Sequence, residues 1–314
     1  MKKNEIKGHS AMLLANGMWG LMSPIAKLVF IGSAVTPFIL ADFRIIGAAA
    51  LFWIVSFFTK KEHVPHGDML KLFFASLLGI VCNQGLFTIG LGMTSPIDAS
   101  IITTSTPILT MVFAAFYLKE PVTGKKVLGI FTGASGALLL IMSNSGANAG
   151  REGNVFGDLL CMLAEASFSL YLVLFKDLIS RYSPITLMKW MFTYAMVCIV
   201  PFSYTGLISL DWSSISTETI WCIVFVVAGG TFISYLLSPV GQQNLRPTVV
   251  SMYCYVQPIV ASIVAVCWGM DQFNLLKVIA VCMVFTGVFL VTRSKSRAQM
   301  EAYAASRAGQ KQSE

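Results

Sequence analysis

The chain has 314 residues, 56% of them hydrophobic and only 12% charged, whereas a soluble domain carries about 25% charged residues. Mean hydropathy is +0.74; a soluble fold of this length has no way to hide so much apolar surface, so lipid must be the solvent for most of it. The net charge of +7 comes from a lysine and arginine excess in the two terminal segments and one set of connections, so no nucleic-acid partner is needed to explain it.

Ten apolar runs follow one another, each long enough for a helix of roughly 20 residues to cross a bilayer. The first covers 11–31. Its basic lead, "MKKNEIKG", resembles a secretory leader, but the run is too long for one, so it is expected to be a retained span. The next runs are 36–59, 69–92, 96–118 and 123–142. After a Gly- and Asn-rich link come 155–179, 184–205, 218–240, 247–270 and 273–293. The expected class is an all-α integral membrane protein with no soluble domain. The seven cysteines all fall inside runs and form no C-x-x-C pair, so neither a zinc site nor a disulfide framework is expected.

Lysine and arginine set the expected orientation. If the connections are numbered alternately from the N-terminus, seventeen basic residues fall in one set, and only Arg151 and Lys277 in the other. The positive-inside rule then puts both termini in the cytoplasm of an inner (plasma) membrane.

The second half of the chain repeats the first. Pro96 and Pro247, Pro107 and Pro258, Glu120 and Asp271, Lys126 and Lys277, and Gly136 and Gly287 are each separated by 151. The leading parts correspond at an offset of 149, as in Gly8/Gly157 and Lys27/Lys176. The expected units are 1–146, 147–294 and a polar cytoplasmic tail, 295–314. Five spans per unit is an odd number, so the second copy should enter the membrane from the opposite side, an inverted repeat. Glu120 and Asp271 each mark a helix–helix turn, where an acid can cap the following helix.

The stretch "TSPIDASIITTSTPILTMVFAAFYLKEPVTGKKVLGIFTGASGALLL" resembles the fourth and fifth helices of EamA-type transporters of the drug/metabolite transporter superfamily. "MWGLMSPIAK" and "TPFILADFRIIGAAAL" resemble the first and second, including the arginine, Arg44. In the second copy Met191 or a neighbour stands where that arginine would be, so its role does not carry across. The resemblance implies a secondary carrier working by alternating access, with its substrate cavity on the pseudo-twofold axis, lined mainly by helices 1, 3, 4, 6, 8 and 9.

Polar residues at helical spacing within the runs are the candidates for that cavity: Trp19, Asn83, Gln84, Thr104, Glu165, Tyr235, Gln242, Tyr255 and Gln257. In lipid such stripes either join helices or face water. Pro107 and Pro258 each free a backbone carbonyl in what reads as mid-helix, making them candidate hinges. A charge inside the membrane costs about 2.5–3.5 kcal/mol on insertion scales, so Lys27, Asp42, Arg44 and Glu165 each need a partner. Lys27–Asp42 is one candidate pair. Asp42 and Arg44, two residues apart on a helix, point in nearly opposite directions, and Arg44 has the alternative of snorkelling to the headgroups. Glu165 lies far from either surface. Desolvation favours the neutral form of such a group, which fits proton coupling or recognition of an amino group.

The expected function is secondary transport, in the export direction, of a small polar or amphipathic metabolite such as an amino acid. Drug-like cations are the alternative substrate. No cofactor or metal is expected, and oligomeric state is unreadable. A channel is disfavoured by the inverted repeats. A membrane-embedded enzyme is disfavoured because H-E-x-x-H, G-x-S-x-G and phosphate-loop patterns are missing from the sequence.

Overall fold

The computed structural model describes residues 3–32, 35–93, 102–143, 155–210, 212, 215–267 and 275–294. All regular structure among them is helical. The 30-residue α1 (Lys3–Gly32) leads to α2 (Pro37–Ser56), whose first turn is set by Thr36: its side chain accepts from the Ile39 amide, and Pro37 supplies a fixed φ. After a polar connection come α3 (His66–Ser76), a wide π-turn at Leu77–Cys82, and α4 (Asn83–Met93). Next are α5 (Thr106–Tyr117) and α6 (Gly124–Ser143).

The second half contains α7 (Val155–Leu174), the short α8 (Lys176–Arg181) and α9 (Pro184–Ile208), which is capped by Ser183 as α2 is by Thr36. Then come α10 (Thr217–Val227), a second π-turn at Ala228–Ile233, and α11 (Ser234–Asn244). The run ends with α12 (Pro247–Met252), a 3-10 turn at Tyr253–Tyr255, α13 (Val256–Cys267) and α14 (Leu275–Thr292).

Among the described residues, five helices are long and apolar enough to cross a membrane: Pro37–Ser56, His66–Gly90, Val155–Leu174, Pro184–Ile208 and Thr217–Asn244. Thr106–Tyr117 and Val278–Thr292 are shorter apolar helices. The chain is therefore an all-helical membrane protein. The ninth expected span, 247–270, is interrupted by the 3-10 turn at Tyr253–Tyr255. Pro96, Asp271 and the tail lie outside the described residues, as does the side chain of Lys277.

Several contacts recur at the sequence offsets. The two π-turns are six residues each and lie 151 apart, as do the eleven-residue helices α4 and α11 that follow them. A Cβ added to Gly79, in the first π-turn, would sit 2.9 Å from the Tyr171 ring; one on Gly230, in the second, would sit 2.9 Å from Met22. Met22 and Tyr171 are 149 apart. In the α6–α14 pair, a Cβ on Gly129 would lie 2.8 Å from the Gly287 carbonyl, and one on Gly136 would lie 2.6 Å from the Ala280 carbonyl. Only glycine lets these two backbones approach so closely.

Two expectations are corrected. Glu120 does not cap α6: Thr123 does, accepting from the Lys126 amide at 3.3 Å. Lys119, in the left-handed region at φ 52°, ends α5, and the turn sends Glu120 inward. There its carboxylate accepts from Lys126 Nζ at 2.7 Å and from Thr248 Oγ1 at 3.1 Å, a buried ion pair tied to the start of α12. Pro107 is not mid-helix. It lies in the first turn of α5, where a missing N–H costs the helix nothing.

Candidate functional site

The polar side chains near the middle of the bundle form two linked groups. The first surrounds Tyr235, whose hydroxyl accepts from Gln84 Nε2 at 3.0 Å. These two residues are 151 apart, so equivalent positions of the two halves touch each other. Trp19 packs edge-on against the Tyr235 ring at 5.5 Å, and Phe192 does so at 5.0 Å. Arg44 donates from Nε to Thr231 Oγ1 at 3.0 Å, reaching inward to the second π-turn, within electrostatic range of Tyr235. Gln84 Oε1 is buried without a hydrogen-bond partner, an unsatisfied acceptor available to a donor.

The second group surrounds Glu165, a buried residue of α7. Its Oε2 lies 2.6 Å from Thr106 Oγ1, and the Thr103 hydroxyl also reaches the carboxyl. Thr106 Oγ1 is in addition 2.7 Å from the Thr103 carbonyl, which Pro107 cannot use because it has no N–H. A hydroxyl carries one proton. Thr106 can donate either to the Thr103 carbonyl or to Glu165. Both contacts are hydrogen bonds at once only if Glu165 is itself protonated and donates to Thr106. An ionised Glu165 can only accept at this contact, so the Thr106 proton then points to the carboxylate and not to the Thr103 carbonyl. The direction of the Thr106 hydroxyl therefore depends on whether Glu165 carries a proton.

A matching pair lies on the other side. Asn16 Oδ1 accepts from Gln257 Nε2 at 3.0 Å. Asn16 is offset by 149 from Glu165, and Gln257 by 151 from Thr106. Between the two pairs, the Tyr255 hydroxyl donates to the Thr104 carbonyl at 3.1 Å, again across an offset of 151.

Other predicted residues have different placements. Asn83 donates to the Ala164 carbonyl at 3.1 Å and so joins α4 to α7. Gln242 accepts from the Tyr171 hydroxyl at 3.1 Å and donates to Ser238 at 2.9 Å. Asp42 accepts from Ser203 at 2.8 Å near the start of α2, away from both groups. The side chain of Lys27 lies outside the described residues. Pro258 falls in the first turn of α13, just after the 3-10 turn. Sequence reasoning missed Asn16, Thr106 and Tyr171. Asn16 could have been found by applying the 149 offset to Glu165, and Thr106 from its place beside Pro107.

An all-helical membrane protein with polar groups gathered where its two halves meet has the form of a small-solute transporter. The chain belongs to the EamA-like transporter family, whose profile matches twice, over residues 6–142 and again over 155–293. It is similar to the "Uncharacterized transporter YyaM" of Bacillus subtilis, 26% identical over 77% of this chain and 79% of that one. An "Uncharacterized transporter" of Archaeoglobus fulgidus is 23% identical over 92% of this chain and 100% of its own. A solved crystal structure shares the fold, with a TM-score of 0.76 at 16% identity, covering 92% of this chain and 98% of that one.

Proposed function

We propose that the protein is a proton-coupled secondary transporter that exports a small amphipathic metabolite bearing an amino group. In this reading, 1–146 and 147–294 are inverted five-span repeats, both termini are cytoplasmic, and the tail after residue 294 lies in the cytoplasm. The halves exchange access about the contacts between Gln84 and Tyr235 and between Thr104 and Tyr255. Self-contact of equivalent positions is what a twofold axis running between them would produce.

The observation that carries the coupling is the single Thr106 proton between two acceptors. Protonated Glu165 donates to Thr106, which then donates on to the Thr103 carbonyl. Once ionised, Glu165 accepts from Thr106 and keeps lone pairs for an ammonium group, which supplies the charge partner that a membrane-buried carboxylate needs. Proton and substrate therefore compete for one carboxyl, the basis of antiport. Trp19 and Tyr235 offer aromatic faces to the apolar part of the substrate.

The test has two steps. Metabolites enriched in the medium after overexpression identify substrates, and counterflow of those compounds is then measured in proteoliposomes between pH 6 and 8. Glu165→Gln is expected to flatten the pH profile and to weaken substrate affinity at least tenfold. Wild-type pH dependence and affinity in that variant would remove Glu165 from the mechanism.

A further inference from the structure

A cavity of about 510 Å³ lies between the start of α2 and the end of α9, away from the central groups. Its size falls within the range of small-molecule sites. Asp42 lines it and is 1% exposed. One carboxyl oxygen, Oδ1, accepts from Ser203; the other, Oδ2, is buried with no hydrogen-bond partner. A buried carboxylate left half-satisfied is expensive, and a charge-assisted hydrogen bond is the strongest remedy. The rest of the wall combines the hydroxyls of Thr36 and Ser209 with the rings of Phe38 and Phe202. We propose that this cavity is a second binding site, which takes a primary ammonium group on Asp42 and packs an attached apolar body against Phe38 and Phe202. In the proposed topology it opens at the outer end of the bundle, where an exported amine leaves or where an aminophospholipid headgroup can enter from the bilayer.

Two features of the cavity favour an organic ammonium over a bare metal ion. Hard cations gather several oxygens at close range, whereas here a single carboxyl group, with one oxygen lacking a hydrogen-bond partner, belongs to the wall of a space many times larger than an ion. The aromatic walls would be wasted on such an ion.

The experiment uses the full-length chain carrying Glu165→Gln, so that the central carboxyl cannot contribute, in phosphatidylcholine nanodiscs. Phenethylammonium and its uncharged analogue, phenethyl alcohol, are titrated separately. The amine is expected to bind saturably at one site and the alcohol at least tenfold more weakly. Asp42→Asn should reduce amine affinity at least tenfold. Gly206→Leu provides a second variant that leaves Asp42 intact. A Cβ on Gly206 meets only Ile39, at 3.7 Å, so α9 has room for it, while the longer side chain fills the cavity that Gly206 lines. It should also weaken binding at least tenfold, and it decides the question alone if Asp42→Asn fails to fold. Phosphatidylethanolamine added to the nanodisc separates the two sources. Competition with phenethylammonium identifies the lipid headgroup as occupant; absence of competition identifies a free amine. Either result sustains the ammonium site. Equal affinity for amine and alcohol, binding that survives both variants, or occupancy by sodium in place of the amine would overturn it.

Discussion

Glu165–Thr106 and Asn16–Gln257 occupy corresponding places in the two halves, yet they differ in chemistry. Each joins the middle of a long helix to the opening turn of a helix that has a proline in that turn, at 2.6 Å and 3.0 Å respectively. The amide pair is neutral at every accessible pH and serves as a fixed pin. The carboxyl–hydroxyl pair contains a titratable group, Glu165. The geometry occurs twice, but the residues differ at both corresponding positions, and only one of the four, Glu165, is titratable. The difference teaches that, in the proposed mechanism, the titratable member sits in a single half and is not distributed over the scaffold.

That comparison can be broken most drastically where both halves share a contact. Gly287→Leu would drive a side chain into the Gly129 carbonyl, 2.5 Å from the first added carbon. It should abolish accumulation of folded protein, read as loss of a monodisperse peak after solubilisation. Wild-type yield would mean that the α6–α14 packing is not tight in solution. The buried ion pair is next. Lys126→Ala strands the Glu120 carboxylate and should cost about 3–5 kcal/mol, measured by thermal unfolding. Lys126→Met combined with Glu120→Leu should recover most of that loss, because no charge remains to be satisfied.

The two matched pairs should then separate cleanly. Asn16→Leu leaves the part-buried Gln257 amide without this partner, at a cost of about 1 kcal/mol, with no change in the pH profile of transport. Glu165→Gln retains hydrogen-bonding capacity and should shift stability by less than Asn16→Leu while removing the pH dependence. If the two variants exchanged these effects, the assignment of pin and switch would be reversed.

The smallest effect lies at the membrane surface. Burial raises the affinity of Glu62 for protons, but hydrogen bonds from Thr186 and Ser183, with the charge of Lys189, outweigh it and hold the carboxyl below its ordinary range. A folded-state value below the unfolded one means that the contribution is present at neutral pH and is lost as pH falls through the folded value. The 57–65 connection should therefore exchange amide hydrogens faster, after correction for intrinsic rates, only under acidic conditions. Glu62→Gln should remove that dependence.

How much of this was legible in the sequence varies by residue. Glu165 could be picked out because a carboxylate ten residues into an apolar run is costly enough to require a reason. Gln84, Tyr235 and Tyr255 were visible as polar groups at helical spacing, but the spacing does not say which of them touch. Asn16 was hidden because an amide in an apolar helix carries no comparable penalty. Glu120 was misread because its surroundings depend on the left-handed turn at Lys119 and on Thr248, 128 residues further along the chain.

Composition and periodicity alone determined that this chain is helical and belongs in lipid, since both follow from the average cost of exposing apolar side chains and unpaired backbone groups. Regular offsets between prolines, acids and glycines likewise revealed the duplication. What only the tertiary structure decided is which partner each polar group has. A hydrogen bond depends on tenths of an ångström and on one proton's direction, and those are set by packing between segments far apart in sequence.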